Sequence, residues 1–333
     1  MKMRWIVKRS IILVLTVYVI ITFTFFLIRL MPGNIVDVLV FQYLMEGVPE
    51  KEARLMVSAL IGYNMSKPVL EQYFDYITNL LRGDLGYSLY YYRVPVISIL
   101  SRAVPWTVFV LSIGITVSFA IGMVLGIIMA YRRGGIFDTI ASFFATVISA
   151  VPNYIVGLLL LFTFTITVPV YTEGLLGGAY DLGLEPGFNW PFIVSVFKHA
   201  TLPILTYIVT GMGSWMLRMR ANTISVLGED YVLAAEARGL KKRRIALSYV
   251  GRNAILPLFT RFTIALGYMF GGSVLIENIF TYPGMGYYLG FSVTSRDYTL
   301  MQGAFLLMTS AVVISNFIAD FLYSRLDPRI KLE

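Results

Sequence analysis

Long apolar runs alternate with short polar stretches along this chain, and their spacing predicts an all-α bundle of six membrane-crossing helices. The first run, residues 10–28, follows a basic start carrying Lys2, Arg4, Lys8 and Arg9. It is longer than the core of a signal peptide and no small-x-small cleavage pattern follows, so it predicts a retained first span, ended by Pro32 and Gly33. Later runs predict a second span from Trp106 to Ala130 and a third from Ile136 to Val168. A fourth opens near His199 and ends at Arg218 and Arg220, a fifth covers Ala254 to Ile276, and a sixth Leu300 to Tyr323.

The polar stretches divide the chain into a first span with its basic start (1–30), an external segment (31–103) and a five-helix membrane core (104–333). Within the external segment, Glu46, Glu50, Lys51, Glu52, Arg54, Glu71 and Asp75 are scattered among apolar residues at helical spacing, which predicts a folded piece rather than a disordered linker. Asn64-Met65-Ser66 there matches a glycosylation sequon, a tripeptide common by chance. A second external loop, rich in glycine, is expected from Tyr171 to Lys198. The one long polar island of the second half, residues 229–257, contains a capped helix. Glu229 and Asp230 supply acidic groups at its start and Gly239 a left-handed stop, and the basic run Lys241 to Arg244 follows. Ala234, Ala235 and Ala237 favour helix and leave a thin surface for close approach. At roughly 15 Å it is too short to cross a bilayer.

Within the spans, Gly114, Ser118, Gly122 and Gly126 recur every four residues, a ridge that lets helix backbones pack closely in lipid; Thr263, Gly267 and Gly271 repeat the spacing in the fifth span. Pro152, with Ser149 and Asn153 beside it, is expected to kink the third span and makes Pro152 and Asn153 candidates for lining a pathway. Arg261 lies inside an apolar stretch and Asp320 near the inner end of the sixth span. Such charges are costly in lipid, so the two are expected to pair or share water. His199, the sole histidine, has no second histidine for a metal site and is read as a helix-entry or interfacial residue at the start of the fourth span.

Composition agrees: 57% of the 333 residues are hydrophobic, 14% are charged, and mean hydropathy is +0.74. The net charge of +8 reports topology rather than nucleic acid. The proposed cytoplasmic pieces hold 17 of the 27 basic residues, including Arg132, Arg133, Arg238, Lys241 to Arg244, Arg252 and Arg325. Six spans with both termini in the cytoplasm fit that asymmetry. With no cysteine, disulfides, thiolate metal sites and cysteine nucleophiles are excluded. No GxxxxGK[ST], HExxH or GxSxG pattern is present, so the chain reads as neither a nucleotide-binding subunit nor an enzyme, and no cofactor or metal is expected. The competing readings are a membrane-embedded enzyme, which lacks a visible catalytic pair, and a passive channel, which lacks a filter segment.

The island resembles the cytoplasmic coupling motif in permease subunits of binding-protein-dependent ABC importers, and its spacing resembles the dipeptide/oligopeptide permease family. The match is carried by Glu229-Asp230-Tyr231-Val232, Ala235, Ala237-Arg238-Gly239-Leu240, Arg252-Asn253-Ala254 and Leu256-Pro257. Where sugar permeases place Glu-Ala-Ala, this chain has Leu233, Ala234 and Ala235, with the acid at Glu236. Leu81-Arg82-Gly83-Asp84-Leu85-Gly86, His199 with Leu202-Pro203, Glu277, Phe280, Pro283-Gly284, Arg296-Asp297-Tyr298 and Leu326-Asp327-Pro328-Arg329 extend the resemblance along most of the chain. Thr299, Tyr287 and Arg261 depart from it. The resemblance implies a plasma-membrane permease for peptides or oligosaccharides, paired with a second homologous permease, two cytoplasmic ATPase subunits and an external binding protein. It further implies that Glu229, Asp230, Tyr231, Ala234, Ala235, Glu236, Ala237, Arg238, Gly239, Leu240 and Lys241 meet the ATPase. Ala234, Ala235 and Gly239 would allow close docking, while Arg238 and Lys241 would meet acidic groups there.

Overall fold

The computed structural model describes residues 3–31, 35–61, 67–91, 94–167, 176–269 and 272–326. Every regular element among them is helical, and the chain divides into two compact units. Pro32, Gly33, Asn64, Tyr171, Gly271 and the segment Asp327–Arg329 lie outside the described residues.

The first unit comprises Met1–Thr107, Phe270–Asn278 and Pro283–Glu333. Its first helix, α1 (Met3–Arg29), packs on the last, α14 (Tyr298–Leu326). Between α1 and the next long helix lie α2 (Ile35–Met45), α3 (Glu50–Ile61) and α4 (Val69–Leu81). Leu39 and Val40 of α2 bury against Ala53 and Val57 of α3. Tyr73 of α4 packs edge-on against Phe25 of α1 and its hydroxyl shares a 2.8 Å hydrogen bond with Thr22; the Arg29 guanidinium donates to Gln72 Oε1. Those contacts tie α4 to the first span.

Helix α5 (Val96–Tyr131) starts well before the predicted Trp106. Pro105 sits inside the helix. Val96, Ile99, Leu100 and Ala103 fall on one face and bury against Met285, Leu289, Leu300, Met301 and Ala304, and that burial outweighs the roughly 3 kcal/mol cost of an internal proline. At the start of α14, the wholly buried Asp297 accepts the Leu300 N–H at 3.0 Å, the Tyr90 N–H at 3.1 Å and the Ser88 hydroxyl. Three donors and a helix N-terminus together offset the desolvation of this carboxylate.

The second unit comprises Val108–Met269 and Ile279–Tyr282. Its centre is α8 (Trp190–Leu227), flanked by α6 (Ile136–Ala150), α7 (Asn153–Thr167) and α11 (Arg252–Tyr268). With 38 residues, α8 is about 57 Å long and exceeds the hydrocarbon core of a bilayer. The expected external loop therefore stops short of Lys198. The Asn189 side chain caps the helix by accepting the Phe192 N–H at 2.9 Å, and Pro191 occupies the first turn, where a missing N–H is harmless. The small-residue ridge of α5 faces α8. A Cβ at Gly122 would collide with Trp215, and one at Gly126 would lie 2.6 Å from the Met216 carbonyl oxygen.

The third span is not one kinked helix. α6 ends at Ala150, Val151 is extended because it precedes proline, and α7 restarts at Asn153 at an angle of 102°. By length and composition the described residues hold four helices able to cross a membrane, and a fifth crossing if α6 and α7 form one broken span. The predicted fifth span, 254–276, is not one helix: α11 starts earlier, at Arg252, after a π-helical segment, Ile245–Gly251, and ends at Tyr268, and a short separate helix begins at Val274 inside the predicted range.

Candidate functional site

Helix α9 (Asp230–Ala237) leaves the end of α8 through Gly228 and an extended Glu229. Eight residues cannot hold a helix in water alone, so its stability comes from packing and caps. Val232 and Ala235, three residues apart, bury against Val226, Leu227, Leu240, Ile245, Tyr249 and Val250. At the C-terminus Gly239 takes φ +69°; its N–H donates to the Glu236 carbonyl at 2.8 Å, and the Leu240 N–H donates to the Ala235 carbonyl at 3.3 Å. These two bonds form a Schellman cap, with Leu240 folded back into the same apolar cluster. The left-handed stop expected from the sequence is present, and the helix proper ends at Ala237, short of Leu240.

Two expectations change. Glu229 makes no side-chain capping bond, so the acids at this end act through the helix dipole alone. Ala235 faces its own chain and is 3% exposed, so it serves packing rather than approach by another protein. The outward surface consists of Asp230, Tyr231, Leu233, Ala234, Glu236, Ala237, Arg238, Gly239 and Lys241. Tyr231 and Leu233 are 40% and 52% exposed, apolar area that nothing in the described chain covers. Nothing lies within 4 Å of a Cβ built on Gly239, so its glycine requirement within this chain is one of backbone conformation.

The pathway candidates separate. Asn153 joins Ser118, Tyr207, Thr210, Ser214 and Trp215 around an open notch of about 380 Å³ in the second unit, while Pro152 supplies the break that places Asn153 there. The Ser118, Thr210 and Ser214 hydroxyls each donate to a carbonyl of their own helix, at 2.8–3.0 Å, which leaves their oxygens as acceptors. Asn153 adds amide donors, and no charged group lines the notch. Arg261 is exposed, and the Asp320 side chain, with the pair expected of it, lies outside the described residues. Among the described residues, no group of three or more histidine, aspartate or glutamate side chains is placed to hold a metal. His199 is buried within α8, which starts at Trp190, so it does not stand at the helix entry: its Nδ1 lies 2.9 Å from the Ser195 carbonyl, to which it can donate, and Nε2 lies 3.8 Å from Asp181.

Sequence reasoning missed two polar clusters. Asp138, at the start of α6, receives both Arg220 Nε at 2.5 Å and a terminal nitrogen at 2.8 Å, plus the Gly134 N–H at 3.0 Å. The residues are 82 apart, and no local pattern announces the pair. α12 (Val274–Ile279), in the first unit up to Asn278, begins within the range expected for the fifth span, and α13 (Met285–Thr294) comes after it. Glu277, buried in α12, accepts the Thr107 hydroxyl at 2.8 Å and the Tyr287 N–H at 3.1 Å; Thr107 Oγ1 in turn accepts the Met285 N–H at 2.8 Å.

No cation faces Glu277 through these bonds, and burial pushes its carboxyl from 4.5 up to about 7. The native state then holds this proton more tightly than the unfolded chain. Stability is greatest below about pH 4.5 and falls as pH rises through about 7, by on the order of 3 kcal/mol from this group. The expected result is an apparent Tm that drops between pH 5 and 7.5 in the wild type and a flatter profile in Glu277→Gln. Parallel profiles for the two proteins would remove Glu277 as the source.

Residues 122–332 match the family described as binding-protein-dependent transport system inner membrane component. Over 98% of both chains the sequence is 30% identical to a di/tripeptide transport system permease protein of Pseudomonas aeruginosa. It is 30% identical to a dipeptide transport system permease protein of Bacillus subtilis, covering 99% of this chain and 98% of that one. A glutathione transport system permease protein of Escherichia coli is 28% identical over 99% of each chain.

Proposed function

The chain belongs to the family of binding-protein-dependent transport system inner membrane components, the permeases of ABC importers, and from that premise we propose that it carries peptides across the membrane and takes its driving force at α9. The names of the relatives support peptides over oligosaccharides as cargo. The bundle would cross the bilayer six times with both termini in the cytoplasm, and the external segment 31–103 would face the binding protein. A second permease would complete the path, and two ATPase subunits would supply the hydrolysis for which this chain has no phosphate loop.

The observation that carries this reading is the two-sided character of α9. Its inner face, Val232 and Ala235, fixes it to the end of α8 and to the π-helical segment that leads into α11, so a push on α9 would pass to both. Its outer face presents Tyr231, Leu233 and small residues that a groove can approach closely, with Arg238 and Lys241 available to acidic groups. The notch around Asn153 supports a weakly retaining path. Acceptor oxygens and an amide can exchange bonds with a peptide backbone, and no charge is present to trap a substrate terminus.

The absence of native cysteine makes a clean test available. Single cysteines at Ala234 and Ala237 are expected to crosslink to an ATPase subunit through a short bifunctional reagent, and a cysteine at buried Ala235 at least about tenfold less. Equal labelling at all three positions, or none, would sink the assignment of this face.

A further inference from the structure

Beyond α9 the chain places three cations where its own structure offers them little. Lys242, Arg243 and Arg244 form the first helical turn, α10, of the stretch that continues through the π-helical segment into α11. All three are exposed, and none pairs with a carboxylate among the described residues. Cations at a helix start meet the positive end of the dipole, so local helix energetics disfavour this placement. Leu247, one turn further on, is 64% exposed, and Leu256 is 60% exposed. Arg252 lies between them, also exposed. Exposed cations followed after about 5 Å of helical rise by bare leucine are the arrangement of a segment crossing from headgroup level to the acyl boundary.

We propose that Lys242, Arg243 and Arg244, with Leu247 and Leu256 beyond them, form a contact surface for anionic phospholipid headgroups of the cytoplasmic leaflet. Charge complementarity selects the ligand: three unpaired cations gain most from a surface of phosphate monoanions, and the leucines gain from adjoining acyl chains, which an acidic protein groove does not offer. Lipid held here would set the depth at which α11 meets the membrane, and α9 is packed against the π-helical segment that leads into it.

The test uses the full chain in nanodiscs containing equal amounts of photoactivatable phosphatidylglycerol and phosphatidylcholine with identical acyl chains. Crosslinks to peptides spanning 242–256 are expected to favour phosphatidylglycerol about fivefold or more. The ratio should fall to near parity in Lys242→Gln/Arg243→Gln/Arg244→Gln and persist in Lys242→Arg/Arg243→Lys/Arg244→Lys. Parity in the wild type, or a preference untouched by the neutral triple variant, overturns the proposal. A second arm measures ATPase subunit association in discs of phosphatidylcholine alone. Unchanged association in the neutral variant supports the lipid assignment, whereas its loss gives these cations to an acidic protein surface and overturns it.

Discussion

Gly239→Val is expected to lower uptake about tenfold or more while the protein still reaches the membrane, and to leave ATP hydrolysis by the partner subunits uncoupled from transport. Gly239 holds φ +69° in the cap that closes α9. A β-branched residue in that conformation costs at least about 1–2 kcal/mol, and the strain falls on an eight-residue helix with little stability of its own. Relief would come by opening the cap, freeing Leu240 from its apolar cluster and turning the outer face of α9. Gly239→Asn separates conformation from size, because asparagine tolerates this backbone and its Cβ would meet no atom of the chain within 4 Å. Near-normal uptake in Gly239→Asn would place the requirement in the backbone; a loss as deep as that of valine would place it in close approach by the ATPase. Full, coupled transport in Gly239→Val would overturn α9 as the site where driving force enters.

The second large effect belongs to Asp138 and Arg220. Their side chains are 4% and 29% exposed, and the bidentate geometry ties the start of α6 to the C-terminal part of α8. Asp138→Ala leaves a partly buried guanidinium without its partner and also removes the acceptor of the Gly134 N–H, with an expected loss of about 3 kcal/mol. Arg220→Met should cost a comparable amount by leaving the carboxylate buried. The double variant Asp138→Leu/Arg220→Met is expected to be more stable than the sum of the single losses, because no unpaired charge remains. Apparent Tm in detergent, measured around the full cycle, reads this directly. Strict additivity would mean the two groups do not interact.

How far the site was legible in sequence follows from the range of the forces involved. The capped helix at 230–237 could be read because its determinants are local: a glycine whose backbone freedom stops a helix, alanines that favour one, and a polar surround that breaks a membrane pattern. Which alanine faces inward could not. Ala234, Ala235 and Ala237 are chemically identical, and only the positions of Val226, Ile245 and Val250 make Ala235 the buried one. The helix start at Trp190 was within reach, since Asn189 followed by Trp190-Pro191 is a cap pattern, but the glycine-rich stretch before it favoured a loop.

The sequence by itself determined that this is an all-helical membrane protein, where its polar island lies and to which family it belongs. These follow from hydropathy over windows of spanning length and from a contiguous motif, both of which add up along the chain. Tertiary structure alone decided that Pro105 is tolerated while Pro152 breaks a helix, that Asp138 meets Arg220, and that Thr107 meets Glu277. A proline costs about the same in either place, and its fate turns on whether buried neighbours repay the lost bond. At Pro105 the adjoining turn packs into the core of the first unit, whereas Pro152 leaves Val151 extended and the chain turns. Partners 82 and 170 residues apart are chosen by packing that no local window contains.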